Sequence, residues 1–207
     1  QLFRTHAAGN FGDLLFAIIR DPAMLAYLDN NDSRKGQPNE NLARELMELF
    51  SLGLGNYSER DIKEGARALT GYSFRDDSFE FNAGNHDTGR KTILGVSGNL
   101  DGDGFVKAIL SQRATSVYIC RKFYNFFATE IDITARERDL PKEPARMIAD
   151  VDRAMRRANF EVKPALRELF LSEHFYSDAV VREQIKSPVG LIVGTVRSMN
   201  TPVRDLS

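Results

Sequence analysis

Between Asn39 and Leu52 the apolar residues recur with the period of an α-helix. At about 100° per residue, Leu42, Ala43, Leu46, Met47, Leu49 and Phe50 fall on one side, and Glu40, Asn41, Arg44, Glu45, Glu48 and Ser51 fall on the other. Such a stripe is stable only when other segments cover it, so the chain must supply further apolar faces.

Phe11 to Ile19 suits a buried helix, and Asp21-Pro22 can cap and open the next, Ala23 to Leu28. Asp29 to Pro38 is polar and reads as a loop. Gly53-Leu54-Gly55-Asn56 ends the helix that starts at Asn39. Ser58, with Asp61 three residues on, has the spacing of a capping box for a helix to about Leu69, with Ile62, Ala66 and Leu69 inward. Further helices are expected at Gly102–Leu110, Ser116–Ala128, Pro144–Ala158 and Lys163–Leu171. A last one is capped by Ser187 and opened by Pro188, and being apolar nearly all round it is expected to be buried. The stretch 72–98 differs, because Phe79-Glu80-Phe81 alternates, Thr92-Ile93-Leu94 is β-prone and Gly84, Gly89, Gly95 and Gly98 interrupt. The expected fold is mainly α, a compact multi-helix bundle with a small β-hairpin excursion around residues 72–98. One helical domain is expected over 1–207. The start at Gln1, with Leu2-Phe3-Arg4 reading like the end of a helix, suggests a fragment of a longer chain.

A net charge of -1 gives no reason to expect a nucleic acid partner. No run is apolar for the ~18 residues a spanning helix needs. The single cysteine, Cys120, rules out an internal disulfide and a paired-cysteine zinc site, and its apolar neighbours mark it as a core thiol. Phosphate-loop, dinucleotide, Gly-x-Ser-x-Gly and His-Glu-x-x-His patterns are absent.

Three polar groupings remain. Asn39, Glu40, Asn41, Arg44, Glu45 and Glu48 share one helical face. They can bind a ligand or a cation, or place a carboxylate as general base with Arg44 as an anion clamp. The plainer alternative is an i,i+4 ladder Glu40–Arg44–Glu48 on a solvated face, each pair worth ~0.3–0.5 kcal/mol. His86-Asp87, in a Gly/Asn-rich loop, can serve as an acid/base or ligand pair, or simply as a turn element. Asp101-Gly102-Asp103-Gly104 resembles the start of a calcium loop, but the twelfth position is Leu110 where a Glu is required. Asp101 or Asp103 as a helix cap is therefore the better reading, with metal ligation the weaker one. The arginines at 153, 156, 157 and 167 are expected on a solvated face with Asp150, Asp152, Glu161 and Glu168.

The run Asn39-Glu40-Asn41-Leu-Ala-Arg44-Glu45-Leu-Met-Glu48, then Gly55-Asn56-Tyr57 and Ala66-Arg67-Ala68-Leu69-Thr70-Gly71, resembles the bacterial family called "domain of unknown function 1800". So do His86-Asp87, Lys91-Thr92-Ile93-Leu94-Gly95, Asp101-Gly102-Asp103, Arg121-Lys122-Phe123, Ser172-Glu173-His174-Phe175 and Ile185-Lys186-Ser187-Pro188. The resemblance implies no established activity or cofactor. It implies an exported, periplasmic or secreted protein with a sulfatase-like partner encoded nearby. Two positions depart from the pattern: Tyr72 stands where Trp is common, and Asn99-Leu100 replaces a Trp-containing approach to the Asp-Gly-Asp turn.

The favoured expectation for function is a binding or structural module of an exported protein. The alternative is a hydrolase-like enzyme with Glu40, Glu45 or Glu48 as base or metal ligand, Arg44 on an anionic group, and His86 and Asp87 closing the site. That alternative requires the His86 segment to roof the Asn39–Glu48 face.

Overall fold

The computed structural model describes residues 2–200. The fold is mainly α, with ten α-helices and two separate two-stranded hairpins among these residues. None of the helices is long and apolar enough to cross a membrane.

Several helix starts follow from local chemistry. In α2 (Phe11–Ile18) the Asn10 side chain accepts from the Gly12 and Asp13 amides. In α3 (Pro22–Tyr27) Asp21 accepts from Met24 N, with Pro22 in the first turn. Ser58 and Asp61 form the full capping box of α5 (Glu59–Ala68). Asp101 caps α6 (Gly102–Leu110), the helix predicted at those bounds. The next three helices, α7 (Arg113–Phe127), α8 (Lys142–Arg157) and α9 (Val162–Phe170), begin slightly earlier than the apolar pattern suggests. The short α1 covers Leu2–His6.

The segment after Asn39 departs from a regular helix. α4 (Asn41–Glu45) runs into a π-helical turn over Leu46–Ser51, in which Leu52 N and Gly53 N both donate to the Met47 carbonyl at 2.8 and 3.1 Å. The wider turn rotates the residues that follow. Ser51, expected outside, is fully buried and donates to the Leu46 carbonyl at 2.5 Å, whereas Leu49, expected inside, is 48% exposed. The Leu49 carbonyl instead accepts from Lys122 Nζ of α7 at 2.6 Å.

The small β excursion is present and comprises two hairpins. β1 (Tyr72–Arg75) pairs with β2 (Ser78–Phe81), and β3 (Lys91–Ile93) with β4 (Val96–Gly98), both antiparallel. Their two-residue turns, Asp76-Asp77 and Leu94-Gly95, have positive φ at both positions, the geometry that matches strand twist. Tyr72 is buried between the Phe79 and Phe81 rings, and its hydroxyl accepts from Gly102 N at 3.1 Å. The first hairpin is thereby tied to the start of α6. β3 lies against α5.

One contiguous apolar cluster extends from Phe11 to Val180 and joins α2 through α9. Within it α7 packs on α8, and α8 on α9. Cys120 is fully buried against Met155, and burial raises its thiol pKa, as expected of a core residue. Two further expectations need correction. Asp152 is 1% exposed and not solvated, because it accepts from Ser116 Oγ at 2.5 Å and pairs with Arg156 at 3.0 Å. α10 (Pro188–Ser198) is capped by Ser187 as predicted but is not buried. Val189 is 71% and Ile192 64% exposed, and none of its residues is buried by the described residues. Apolar composition raises the gain from burial but provides no surface to bury against.

Candidate functional site

The acidic stripe is a set of short-range pairs. Asn39 starts it with an Asx turn, its Oδ1 accepting from Asn41 N at 2.9 Å while its Nδ2 donates to the Asp29 carbonyl at 2.8 Å. Arg44 reaches Glu40 at 3.2 Å and grips Glu59, at the start of α5, with two bonds of 2.9 and 3.0 Å. That grip lowers the Glu59 pKa and raises that of Arg44. Glu48 does not complete the i,i+4 ladder, because it lies in the wide turn. Its Oε2 accepts from the Tyr57 hydroxyl at 2.6 Å, and burial, then Glu48 itself, raises the tyrosine pKa. Glu45 differs from its neighbours. Its Oε2 is buried and has no hydrogen-bond partner among the described residues.

His86 and Asp87 dock on the other end of α5. His86 is 9% exposed, its Nδ1 lies 2.8 Å from the Thr70 carbonyl, and its ring packs 5.3 Å from that of Phe81. Asp87 N donates to Thr70 Oγ1 at 2.8 Å. The Asp87 carboxylate takes a two-pronged bond from Arg67, at 2.8 and 3.2 Å, and a third from Gly89 N at 2.8 Å. Arg67 also holds Glu64 at 2.9 Å, and Lys91, 1% exposed, donates to the Asp87 and Gly89 carbonyls. Glu59 and Arg67 are eight residues apart on α5, about 12 Å along the helix axis at 1.5 Å per residue. The link between the two clusters is Ser33, whose Oγ accepts from Asn39 N and whose carbonyl accepts from Gly71 N.

The hydrogen bonds from Arg67 hold the Asp87 carboxyl down to about 2, against the opposing effect of burial. A lowered folded-state pKa means that the pair stabilises the fold above the unfolded value near 3.9, and that this stability is lost as pH falls toward about 2. Asp87→Asn is expected to cost about 1–2 kcal/mol at pH 7 and to flatten the pH dependence of stability between about 4 and 2. Urea unfolding followed across that range checks this. Parallel curves for wild type and variant would remove the pair as its cause.

Asp101 accepts from Gly104 N at 2.9 Å, in its expected role as the α6 cap, and Asp103 pairs with Arg20 at 2.6 Å. Because the chain is helical from Gly102, the alternate oxygens of a calcium loop do not converge there. Among the described residues no three His, Cys, Asp or Glu side chains are grouped so as to hold a metal ion.

Sequence reasoning missed a cleft on a different face. About 520 Å³ lies between the Gly53–Asn56 turn, the first half of α7 and the segment 133–137, with Arg113, Arg121 and Arg136 in its lining. Arg113 and Arg121 are eight residues apart on α7, and that repeat was the only local signal. The third arginine arrives by a chain reversal that no spacing encodes.

The family model described as "Protein of unknown function (DUF1800)" matches residues 1–207. No curated protein and no solved structure matches the chain. With a family model matched over its whole length, and with the stripe, the His86 loop and the Asp101 cap each in an ordered place, the chain belongs to the DUF1800 family of proteins of unknown function.

Proposed function

We propose that this chain is a binding or structural module of an exported protein, and that the acidic stripe and the His86 loop are parts of its scaffold. The observation that carries this reading is the pairing of Arg44 with Glu59, of Asp87 with Arg67 and of Glu48 with Tyr57. A general base must keep a lone pair for its substrate, and a clamp arginine must keep its fork. Here Arg44 and Asp87 spend theirs on each cluster's own partners. Export rests on the family resemblance alone.

The hydrolase-like reading has one observation in its favour, the unpartnered Oε2 of Glu45. Such an atom costs free energy unless a ligand or water satisfies it. Turnover of a panel of ester, phosphate, sulfate and glycoside substrates separates the two readings. The expected result is no turnover by wild type above a Glu45→Gln control. Turnover that falls at least tenfold in Glu45→Gln, with the fold intact, would establish the enzyme instead.

A further inference from the structure

We propose that the cleft between the Gly53 turn, α7 and residues 133–137 is a binding site for an oxyanion group, a phosphate or a carboxylate on a small ligand. Its charge is unbalanced: three arginines line it, and Glu137 is the one carboxylate in its lining. Arg113 makes no ion pair among the described residues, and Arg136 pairs only with the exposed Asp139, at 2.7 Å. Arg121 is fixed in place, NH1 donating to the Ile133 and Ala135 carbonyls at 3.1 and 2.6 Å, while its Nε is buried with no partner among the described residues. A guanidinium held through one nitrogen keeps donor capacity for an oxyanion at little further loss of side-chain entropy.

The backbone adds to this field. No side chain caps the N-terminus of α7, a 15-residue helix whose Arg113 and Ala114 line the cleft, so the positive end of its dipole opens there. The volume, about 520 Å³, is in the range that holds a small organic ligand. The Tyr118 ring closes one wall against Gly53, where an added Cβ would lie 2.7 Å from ring carbons. This site is distinct from the acidic stripe and stands whether or not the chain is catalytic.

Calorimetric titration of the full chain with inorganic phosphate and, separately, with citrate tests the site and tells the two chemistries apart. Saturable binding of at least one probe is expected, with sodium chloride at matched ionic strength giving none. Arg113→Gln/Arg136→Gln changes exposed side chains only and is expected to weaken binding at least tenfold, while Arg153→Gln on α8 leaves it unchanged. Arg113→Gln alone is expected to weaken binding several-fold, and it carries the test if the double variant does not fold. Absence of saturable binding, or equal binding by Arg113→Gln and wild type, overturns the proposal. Arginine-dependent binding by a protein that also turns over a substrate would keep the site and remove the scaffold reading. No binding and no turnover would remove the site alone.

Discussion

Gly71→Val is expected to destabilise the protein by about 4 kcal/mol and lower its Tm by about 10 °C. Two independent costs meet at this residue. Its φ is +79°, a region that a β-branched residue occupies only under strain, at ~1–2 kcal/mol or more. A Cβ there would also fall inside the van der Waals shell of the Asn82 carbonyl oxygen, 3.2 Å from His86 N and 3.3 Å from His86 Cβ. Neither neighbour is a free side-chain end that can swing away. The Gly71 carbonyl accepts from Asn82 N at 2.7 Å, so the substitution pushes apart the turn that carries His86 and Asp87. Gly55→Ala is the control, since Gly55 has φ +82° but nothing within 4 Å of its added Cβ. It should show the backbone cost alone, about 1 kcal/mol. Thermal unfolding of both variants checks the comparison. A Gly71→Val protein melting within 3 °C or so of wild type would mean that the loop is not held as described.

Phe105→Ala is expected to cost about 4 kcal/mol by chemical denaturation. Phe105 is fully buried, and its ring meets α5 at Gly65, where an added Cβ would lie 2.9 Å from the ring and 3.2 Å from the Met47 methyl. The π-helical turn (through Met47), α5 and α6 therefore meet around Gly65, and removing the Phe105 ring opens a cavity that the backbones cannot close. The contact also predicts non-additivity. Gly65→Ala alone should destabilise by overpacking the ring. In the Phe105→Ala background the same change should be neutral or stabilising, because it fills part of the void and favours helix. Additive costs in the double variant would count against the packing.

Where an interaction closes within a few residues, the chain order already contains it. Ser58 with Asp61, Asp101 with Gly104 N and Ser187 with Gly190 N are all caps spanning three residues, and all were legible before the fold. The Glu40–Arg44 pair lies one helical turn apart and was legible too. Its neighbours were not. Arg44 to Glu59 and Arg67 to Asp87 span fifteen and twenty residues, and they form because α5 passes beside α4 and the loop returns to α5. No periodicity in the sequence marks either partner.

The exchange of Leu49 and Ser51 shows the same limit at shorter range. A regular helix would place Leu49 inside, but the turn widens at Leu46, and the Leu49 carbonyl finds Lys122 on α7. The α10 helix shows it at the largest scale. Its existence and its cap are local properties, and they came from Ser187, Pro188 and the apolar run that follows. Its exposure depends on what lies opposite, which belongs to the packing of the whole chain.

Taken alone, the amino-acid order determined the helical class, most element starts, the buried cysteine and the family. Only the tertiary structure decided which carboxylates are neutralised, which apolar faces are covered, and that three arginines share one cleft. The physical reason is range. Backbone capping and helical periodicity act over three or four residues, whereas a guanidinium, a dipole or an apolar face acts on whatever the folded chain brings within a few ångströms.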